Sequence, residues 1–245
     1  MKALVFAAGL GTRLGPLTAQ MPKALVPVGG EAMLGRVMRK LCFAGFRDIV
    51  VTACYKASMV QDWLRENCPS GATVAFSLEP GPEPFETGGG IKFARPLLED
   101  GEPFLVHNVD ILSNADLAAF VSAARPHALA TLLVTDPRPE DYRFFLFDPA
   151  DMRLMGWTNT RTGEVRGGVR VEDCRRMSFC GIHLVSPAVF PLMESWPERF
   201  SITDFYIKEA ERHPIYGIAA PDLKIIDIGT PETLAEAERA VQGSR

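Results

Sequence analysis

The sequence predicts an α/β protein built on a doubly wound, mostly parallel sheet. Three observations predict it. Short runs with almost no polar residues, Ala3 to Ala8, Ile49 to Ala53 and Ala72 to Leu78, read as strands buried on both faces. The stretches between them repeat apolar residues at helical spacing, which gives the order βαβαβ. Glycines or carboxylates then stand at strand ends, where such sheets hold their ligands.

Each element has its own warrant. Leu34, Val37, Met38, Leu41 and Cys42 mark the first long helix, and Gly45 is placed to end it. Met59, Val60, Trp63 and Leu64 mark the second. A Pro- and Glu-rich loop, EPGPEPF, leads into Glu86-Thr87-Gly88-Gly89-Gly90-Ile91. Consecutive glycines cost conformational entropy and pack nothing, so they are expected to expose backbone on which a flat ligand lies. Pro96 should interrupt the short helix that follows. Phe104 to Asp110 is a strand ending in a carboxylate, and Ser113 or Asn114 should cap a helix over 116–125. His107 reads as packing or a local hydrogen bond. Ala128 to Val134 is a further strand. From Arg143 the pattern changes to short hairpins, a small β-hairpin flap over 143–177. Phe179 to Val185 returns to the sheet, Pro187 starts a helix toward Met193, and Thr203 should cap a helix through Glu211. Leu223 to Ile226 is the last strand, followed by Asp227-Ile228-Gly229-Thr230-Pro231 and a helix capped by Thr230. The 1–245 span is expected to be a single domain, with no repeat or linker.

Composition narrows the function classes. A net charge of −4 gives no global attraction for nucleic acid or membrane, so a phosphate site must be a local basic cluster. No apolar stretch is long enough to span a bilayer. The apolar N-terminus leads into GLGTR rather than a small-residue cleavage site, which argues against a signal peptide. The five cysteines show no C-x-x-C pair and suggest reduced thiols in the cytoplasm.

The chain is organised around KALVFAAGLGTRLGPLTAQMPKALVPV, residues 2–28. A strand runs into Gly9 and Gly11, whose backbone can turn sharply and approach a ligand. Arg13 supplies a planar fork suited to phosphate oxygens. Lys23, between Pro22 and an apolar run, is a cation held in place. Together they describe a polyphosphate cradle. A plain structural turn is the alternative. The spacing Gly9-x-Gly11-x-x-x-Gly15 departs from the dinucleotide fingerprint, and no Gly-Lys-Ser or Gly-Lys-Thr is present.

AAGLGTRLGPLT followed by PKALVPV resembles the signature of the sugar-phosphate nucleotidylyltransferases, with Ala24 where proline is usual. The E-T-G-G-G stretch is similar to that of bacterial N-acetylmuramate 1-phosphate uridylyltransferases. The resemblance implies a Rossmann-like nucleotidyltransferase fold and catalytic roles for Arg13, Lys23, Asp110 and Asp227. It implies Mg2+ held by Asp110 and Asp227. It assigns Ala7, Ala8, Gly9, Gly11, Thr12, Arg13, Lys23, Glu79, Thr87, Gly88 and Gly89 to the nucleotide. The Glu-Lys-Pro motif that contacts the sugar in many members is missing, so Asn108, Trp157 and Asn159 stand as substrate candidates, with Trp157 also readable as a buried hydrophobe. The implied reaction couples UTP to N-acetylmuramate 1-phosphate or a related hexose 1-phosphate in nucleotide-sugar and cell-wall precursor synthesis. Two alternatives remain at this level: a cytidylyltransferase acting on phosphocholine or another alcohol phosphate, and a non-catalytic nucleotide sensor.

Overall fold

The run Ala3–Phe6 forms β1, the middle strand of a parallel core, in a computed structural model that describes residues 1–220 and 222–243. Residues 221, 244 and 245 of the expected 1–245 span lie outside the described residues. After β1 come α1 (Pro16–Gln20), β2 (Pro27–Val28), β3 (Glu31–Ala32), α2 (Met33–Phe43), β4 (Asp48–Ala53), α3 (Ala57–Asn67) and β5 (Thr73–Leu78). Then follow α4 (Glu86–Phe93), α5 (Arg95–Leu98), β6 (Phe104–Asn108), β7 (Ile111–Ser113), α6 (Leu117–Ala123) and β8 (Ala130–Thr135). The remainder is β9 (Arg143–Phe147), β10 (Leu154–Asn159), β11 (Glu164–Arg166), β12 (Arg175–Val185), α7 (Val189–Met193), α8 (Ile202–Glu209), β13 (Ile215–Ala219), β14 (Ile225–Asp227) and α9 (Pro231–Gln242).

The main sheet runs β11-β10-β9-β12-β6-β1-β4-β5, and β6, β1, β4 and β5 are parallel neighbours. Alternation along β1 sends its side chains into two cores. Leu4 joins Val106, Ile91, Phe190 and Phe205 on one face. Ala3 and Val5 join Leu34, Val37, Met38 and Leu41 of α2 on the other. β12 is the seam of the fold. Its first residues pair with β9, Ile182–Val185 pair with β6, and its other edge carries β8, which takes β13 in parallel. Gly181, at φ 68°, sits in the register break, and a Cβ there would lie 2.7 Å from the Asn108 amide nitrogen. The glycine brings Asn108 against the seam.

Several local expectations change. Residues 143–177 form an antiparallel wing that continues the sheet through β12, where hairpins folded over the sheet were expected. Asp116, rather than Ser113 or Asn114, caps α6, its carboxylate accepting from the Ala119 N–H at 2.9 Å. Ser201, not Thr203, caps α8. Pro96 lies in the first turn of α5, where its missing N–H costs nothing. β13 was not anticipated: Gly217 interrupts its apolar alternation. Thr230 caps α9 as expected, in a reciprocal arrangement with Thr233.

The triple glycine is the main correction. It lies buried inside α4 and is not an exposed platform. The N–H groups of Gly88 and Gly89 donate to the Phe200 carbonyl at 2.9 and 3.2 Å. A Cβ on Gly88 would fall 2.3 Å from the Phe200 ring, and one on Gly89 would fall 2.0 Å from the Glu198 carbonyl oxygen. Small residues are required because another stretch of backbone occupies the space. Gly89→Ala is therefore expected to lower the unfolding free energy by about 1–3 kcal/mol, read by urea denaturation. Unchanged stability would mean that the 198–200 segment withdraws without cost.

Candidate active site

The loop after β1 is shaped by close approach. Gly11, at φ 64°, lies where a Cβ would meet Thr18 Cγ2 at 2.9 Å and Lys23 Cβ at 3.0 Å. Thr18 Oγ1 donates to the Gly11 carbonyl at 2.9 Å and holds the turn. Arg13 projects from the short 3-10 turn Thr12–Leu14, is exposed, and has no carboxylate partner among the described residues. Lys23 opens a second 3-10 turn between Pro22 and fully buried Ala24, so its stem is clamped and only 8% of the residue is exposed.

The Lys23 ammonium hydrogen-bonds the Asp110 carboxylate and lies 3.9 Å from the Asp227 carboxylate. Asp110 follows β6 and Asp227 ends β14. The Ile228 N–H donates to the Asp110 carbonyl at 2.9 Å, tying the two acidic corners together. Burial, and then the charge of Asp110, hold the Asp227 carboxyl above its ordinary range, while Lys23, Arg13 and Arg138 oppose that rise. The Arg13 guanidinium passes 2.7 Å from where a Cβ on Gly229 would sit. Arg13, Lys23, Asp110 and Asp227, far apart in sequence, thus meet at one place.

That place divides a cleft in two. One half, about 250 Å³, lies over Gly9, Gly11, Thr12, Glu79, Thr87 and Asn108. Glu79 is buried: its Oε2 accepts from the Phe85 N–H at 2.8 Å, its Oε1 has no partner among the described residues, and burial raises its carboxyl. The other half, about 640 Å³, is walled by Arg138, Tyr142, Arg143, Trp157, Asn159 and Asp204, and it too reaches Arg13 and Asp227. Asn159 Oδ1 is committed to the N–H groups of Arg161 and Thr162, which leaves its Nδ2 for the cleft. The Arg166 guanidinium lies over the Trp157 ring at 4.8 Å.

Ala8, Gly9, Gly11, Thr12, Arg13, Lys23, Glu79, Thr87, Asn108 and Asp110 line the first half, and Trp157, Asn159 and Asp227 the second. Ala7, Gly88 and Gly89 do not line either half: Ala7 is buried with its N–H on Thr52 Oγ1, and the glycines face residues 198–200. Thr87 lines the cleft while its hydroxyl accepts from the Ile202 N–H at 3.0 Å. His107 makes the expected local bond, Nδ1 to the Asn108 carbonyl, and burial pushes it down to about 4. Residues the sequence did not single out are Arg138, Asp141, Arg143 and Ser178. Arg138 and Ser178 both bond the Asp141 carboxylate, which stays below its usual range through those bonds despite its burial. The signal for Arg138, Asp141 and Arg143 was the charge-dense stretch DPRPEDYR between two apolar runs, and Ser178 had none.

The nucleotidyl transferase profile matches residues 2–145. The N-acetylmuramate alpha-1-phosphate uridylyltransferase of Neisseria meningitidis is 34% identical over 80% of this chain and 79% of its own length. The mannose-1-phosphate guanylyltransferase catalytic subunit beta of Dictyostelium discoideum is 38% identical over 80% of this chain and 53% of its own. A UDP-glucose pyrophosphorylase solved with UDP-glucose superimposes with a TM-score of 0.80 at 18% identity, covering 100% and 99% of the two chains. The chain belongs to the nucleotidyl transferase family. It is an enzyme of the sugar-phosphate nucleotidylyltransferase type, as its glycine-rich signature implied. Among the described residues no helix is long and apolar enough to cross a membrane.

The raised Asp227 carboxyl makes a stability prediction with a definite sign. Between 3.8, its ordinary value, and its raised native value, the folded chain holds more protons than the unfolded one. This residue's contribution to stability therefore falls as pH rises through that window. Asp227→Asn removes the effect. The variant should match the wild type in stability below the window and exceed it at neutral pH. Denaturation curves at several pH values test this, and a variant less stable at pH 7 than at pH 3, relative to wild type, would contradict it.

Proposed function

We propose that the chain transfers a uridylyl group from UTP to a sugar 1-phosphate, releasing pyrophosphate and forming a UDP-sugar. The observation that carries this reading is the meeting of Arg13, Lys23, Asp110 and Asp227 at the boundary between the two halves of the cleft. A nucleotide in the first half and a phosphate acceptor in the second would bring their phosphates together there.

The donor set fits a divalent cation of the magnesium kind, because two carboxylates whose repulsion lifts one of them above its ordinary range gain from a shared cation. Asp110 and Asp227 would hold it, and when bound it neutralises and polarises the α-phosphate oxygens. The chain's own residues do the rest. An oxygen of the sugar 1-phosphate forms the new bond to the α-phosphorus as the bond to the β-phosphate oxygen breaks. The attacking oxygen is already ionised, so no side chain has to accept a proton. Arg13 spreads its forked donors over the departing pyrophosphate. Lys23, fixed by its buried stem, orients the phosphates.

Base choice is assigned to Glu79. One carboxylate oxygen is committed to Phe85 and one is left, which matches the single imino donor of uracil better than the paired donors of guanine. The acceptor half favours a sugar carrying more than its phosphate. Asn159 offers an amide donor and Arg143 a guanidinium that pairs with no carboxylate among the described residues, while Trp157, buried under Arg166, serves as the packed hydrophobe behind them. An N-acetylmuramate 1-phosphate, with its lactyl carboxylate, would satisfy both. The described cysteines are all free thiols, in keeping with work in the cytoplasm.

A panel of triphosphates against phosphate acceptors, read by pyrophosphate release, tests the proposal. UTP with N-acetylmuramate 1-phosphate should be the fastest pair, and turnover should need a divalent cation. Asp110→Ala should lose on the order of a hundredfold or more in kcat, and Arg13→Lys should be severely impaired because an ammonium has no fork. GTP outrunning UTP with every acceptor would sink the assignment of the base. CTP with phosphocholine as the best pair would sink that of the acceptor.

A further inference from the structure

The two acids of the site are not anchored alike. Asp110 follows a strand of the main sheet and its carboxylate accepts from the Lys23 ammonium. Asp227 ends β14, which pairs only with β7 in a two-stranded ribbon outside that sheet. Its carboxylate has Lys23 at 3.9 Å and no hydrogen bond among the described residues. The place of Asp227 therefore depends on the backbone of β14. The Lys224 carbonyl and the Ile228 N–H are bonded to Asn114 and Asp110, on the β7 side. By the alternation of a strand, the Ile225 carbonyl between them faces away from β7. On that side lies a recess of about 160 Å³, lined by Thr135, Ser178, Cys180, Gly181, Ile225 and Asp227.

Arg138, from the loop between β8 and β9, reaches into this recess, and its Nη1 donates to the Ile225 carbonyl at 3.3 Å. Among the described residues it is the one side chain that hydrogen-bonds the backbone of β14. The guanidinium is itself held. Asp141 accepts from Arg138 Nη2 at 3.0 Å, Nε at 3.3 Å and the backbone N–H at 3.1 Å. Ser178, on β12, donates its hydroxyl to the same carboxylate. A clamp serving only the loop is complete with those bonds. The remaining one crosses to the strand that ends in Asp227.

We propose that Arg138 is a positioning residue for Asp227, holding the outer edge of β14 while Asp141 and Ser178 hold Arg138. The inference rests on the reading of Asp110 and Asp227 as the acids that take a divalent cation. A small hard cation tolerates little error in its oxygen ligands, so a carboxylate at the end of a loose ribbon binds it poorly. Residues behind a ligand matter to affinity for that reason. Lysine cannot replace Arg138, because one ammonium cannot grip Asp141 at two points and still reach Ile225. Geometry and charge act in opposite directions here. A cation beside Asp227 repels a metal ion, so if charge alone mattered, its removal would tighten metal binding.

Titration with Mn2+ alone, read by the paramagnetic resonance of the free ion, tests this without turnover. The wild type should bind Mn2+, and Asp227→Ala should lose it. Arg138→Lys, Arg138→Gln and Asp141→Asn should each weaken binding on the order of tenfold or more. Arg138→Gln combined with Asp141→Asn should be no worse than Arg138→Gln, because the two act as one unit. Ser178→Ala, the smallest change, should weaken binding in the same direction and serves if the others fold poorly. In turnover with the fastest substrate pair, the Mn2+ concentration for half-activation should rise in Arg138→Lys while the acceptor KM stays put. Arg138 variants that bind Mn2+ as wild type does, or an Arg138→Gln that binds it more tightly, would overturn the positioning role. So would a raised acceptor KM with unmoved Mn2+ binding, which would place Arg138 on the acceptor. Failure of the underlying reading looks different: the wild type would not bind Mn2+, or Asp227→Ala would bind it unchanged.

Discussion

The ammonium of Lys23 between two carboxylates is the interaction on which the site depends. Asp110, from the middle of the chain, and Asp227, from near its C-terminus, are fastened at the backbone by one hydrogen bond from Ile228 to Asp110. Two carboxylates so placed, in a partly buried cleft, repel each other, and the raised Asp227 carboxyl records that repulsion together with the cost of burial. Lys23 offsets it only because its stem cannot wander. Pro22 fixes the chain before it, Ala24 is sealed in the core after it, and Gly11 leaves no side chain where Lys23 Cβ must pass. The apolar packing around β1 and α2 thus sets the position of a charge.

The cleft has two halves because the sheet has two parts. The parallel strands carry the glycine-rich loop, Glu79 and Asp110. The antiparallel wing carries Arg143, Trp157 and Asn159. β12 belongs to both parts and bends at Gly181, against Asn108. A second tie crosses from α4 to the start of α8. Gly88 and Gly89 bond the Phe200 carbonyl, Thr87 accepts from Ile202, and Arg199 pairs with Glu83 and Glu86. Ser201, Thr203 and Asp204, next along the chain, line the acceptor half. The loop that closes the nucleotide half is therefore stitched to a wall of the other half.

Much of this was legible in the sequence, for reasons particular to each residue. The parallel strands announce themselves because strands covered on both faces must be apolar throughout, as Ala3 to Phe6 is. Asp110 and Asp227 stood out because a carboxylate ending an apolar run has no structural work once its neighbours cap the next helix. Asp116 and Thr230 do that capping. The triple glycine misled because composition reports only that a side chain is excluded. A ligand and a neighbouring backbone exclude it equally well, and only the fold reveals Glu198 and Phe200 in that space. Arg138, Asp141 and Ser178 stayed hidden because their triangle joins two sequence segments with no motif spacing between them.

The two cations of the site show how placement divides labour between like charges. Lys23 is buried and paired with its stem clamped, so its charge is held at the acids and is little screened by salt. Arg13 is exposed and unpaired among the described residues, so its charge is open to a ligand but weakened by solvent and ions. A phosphate chain entering the cleft would exclude water from the Arg13 fork and strengthen that contact as it forms. The protein as a whole, at −4, does not attract such a ligand from a distance. Recognition must therefore be made at close range, by an arginine that gains its strength only once the ligand has arrived. Gly229 leaves room for this contact, since a Cβ there would lie 2.7 Å from the guanidinium and 3.3 Å from the Asp227 carboxylate.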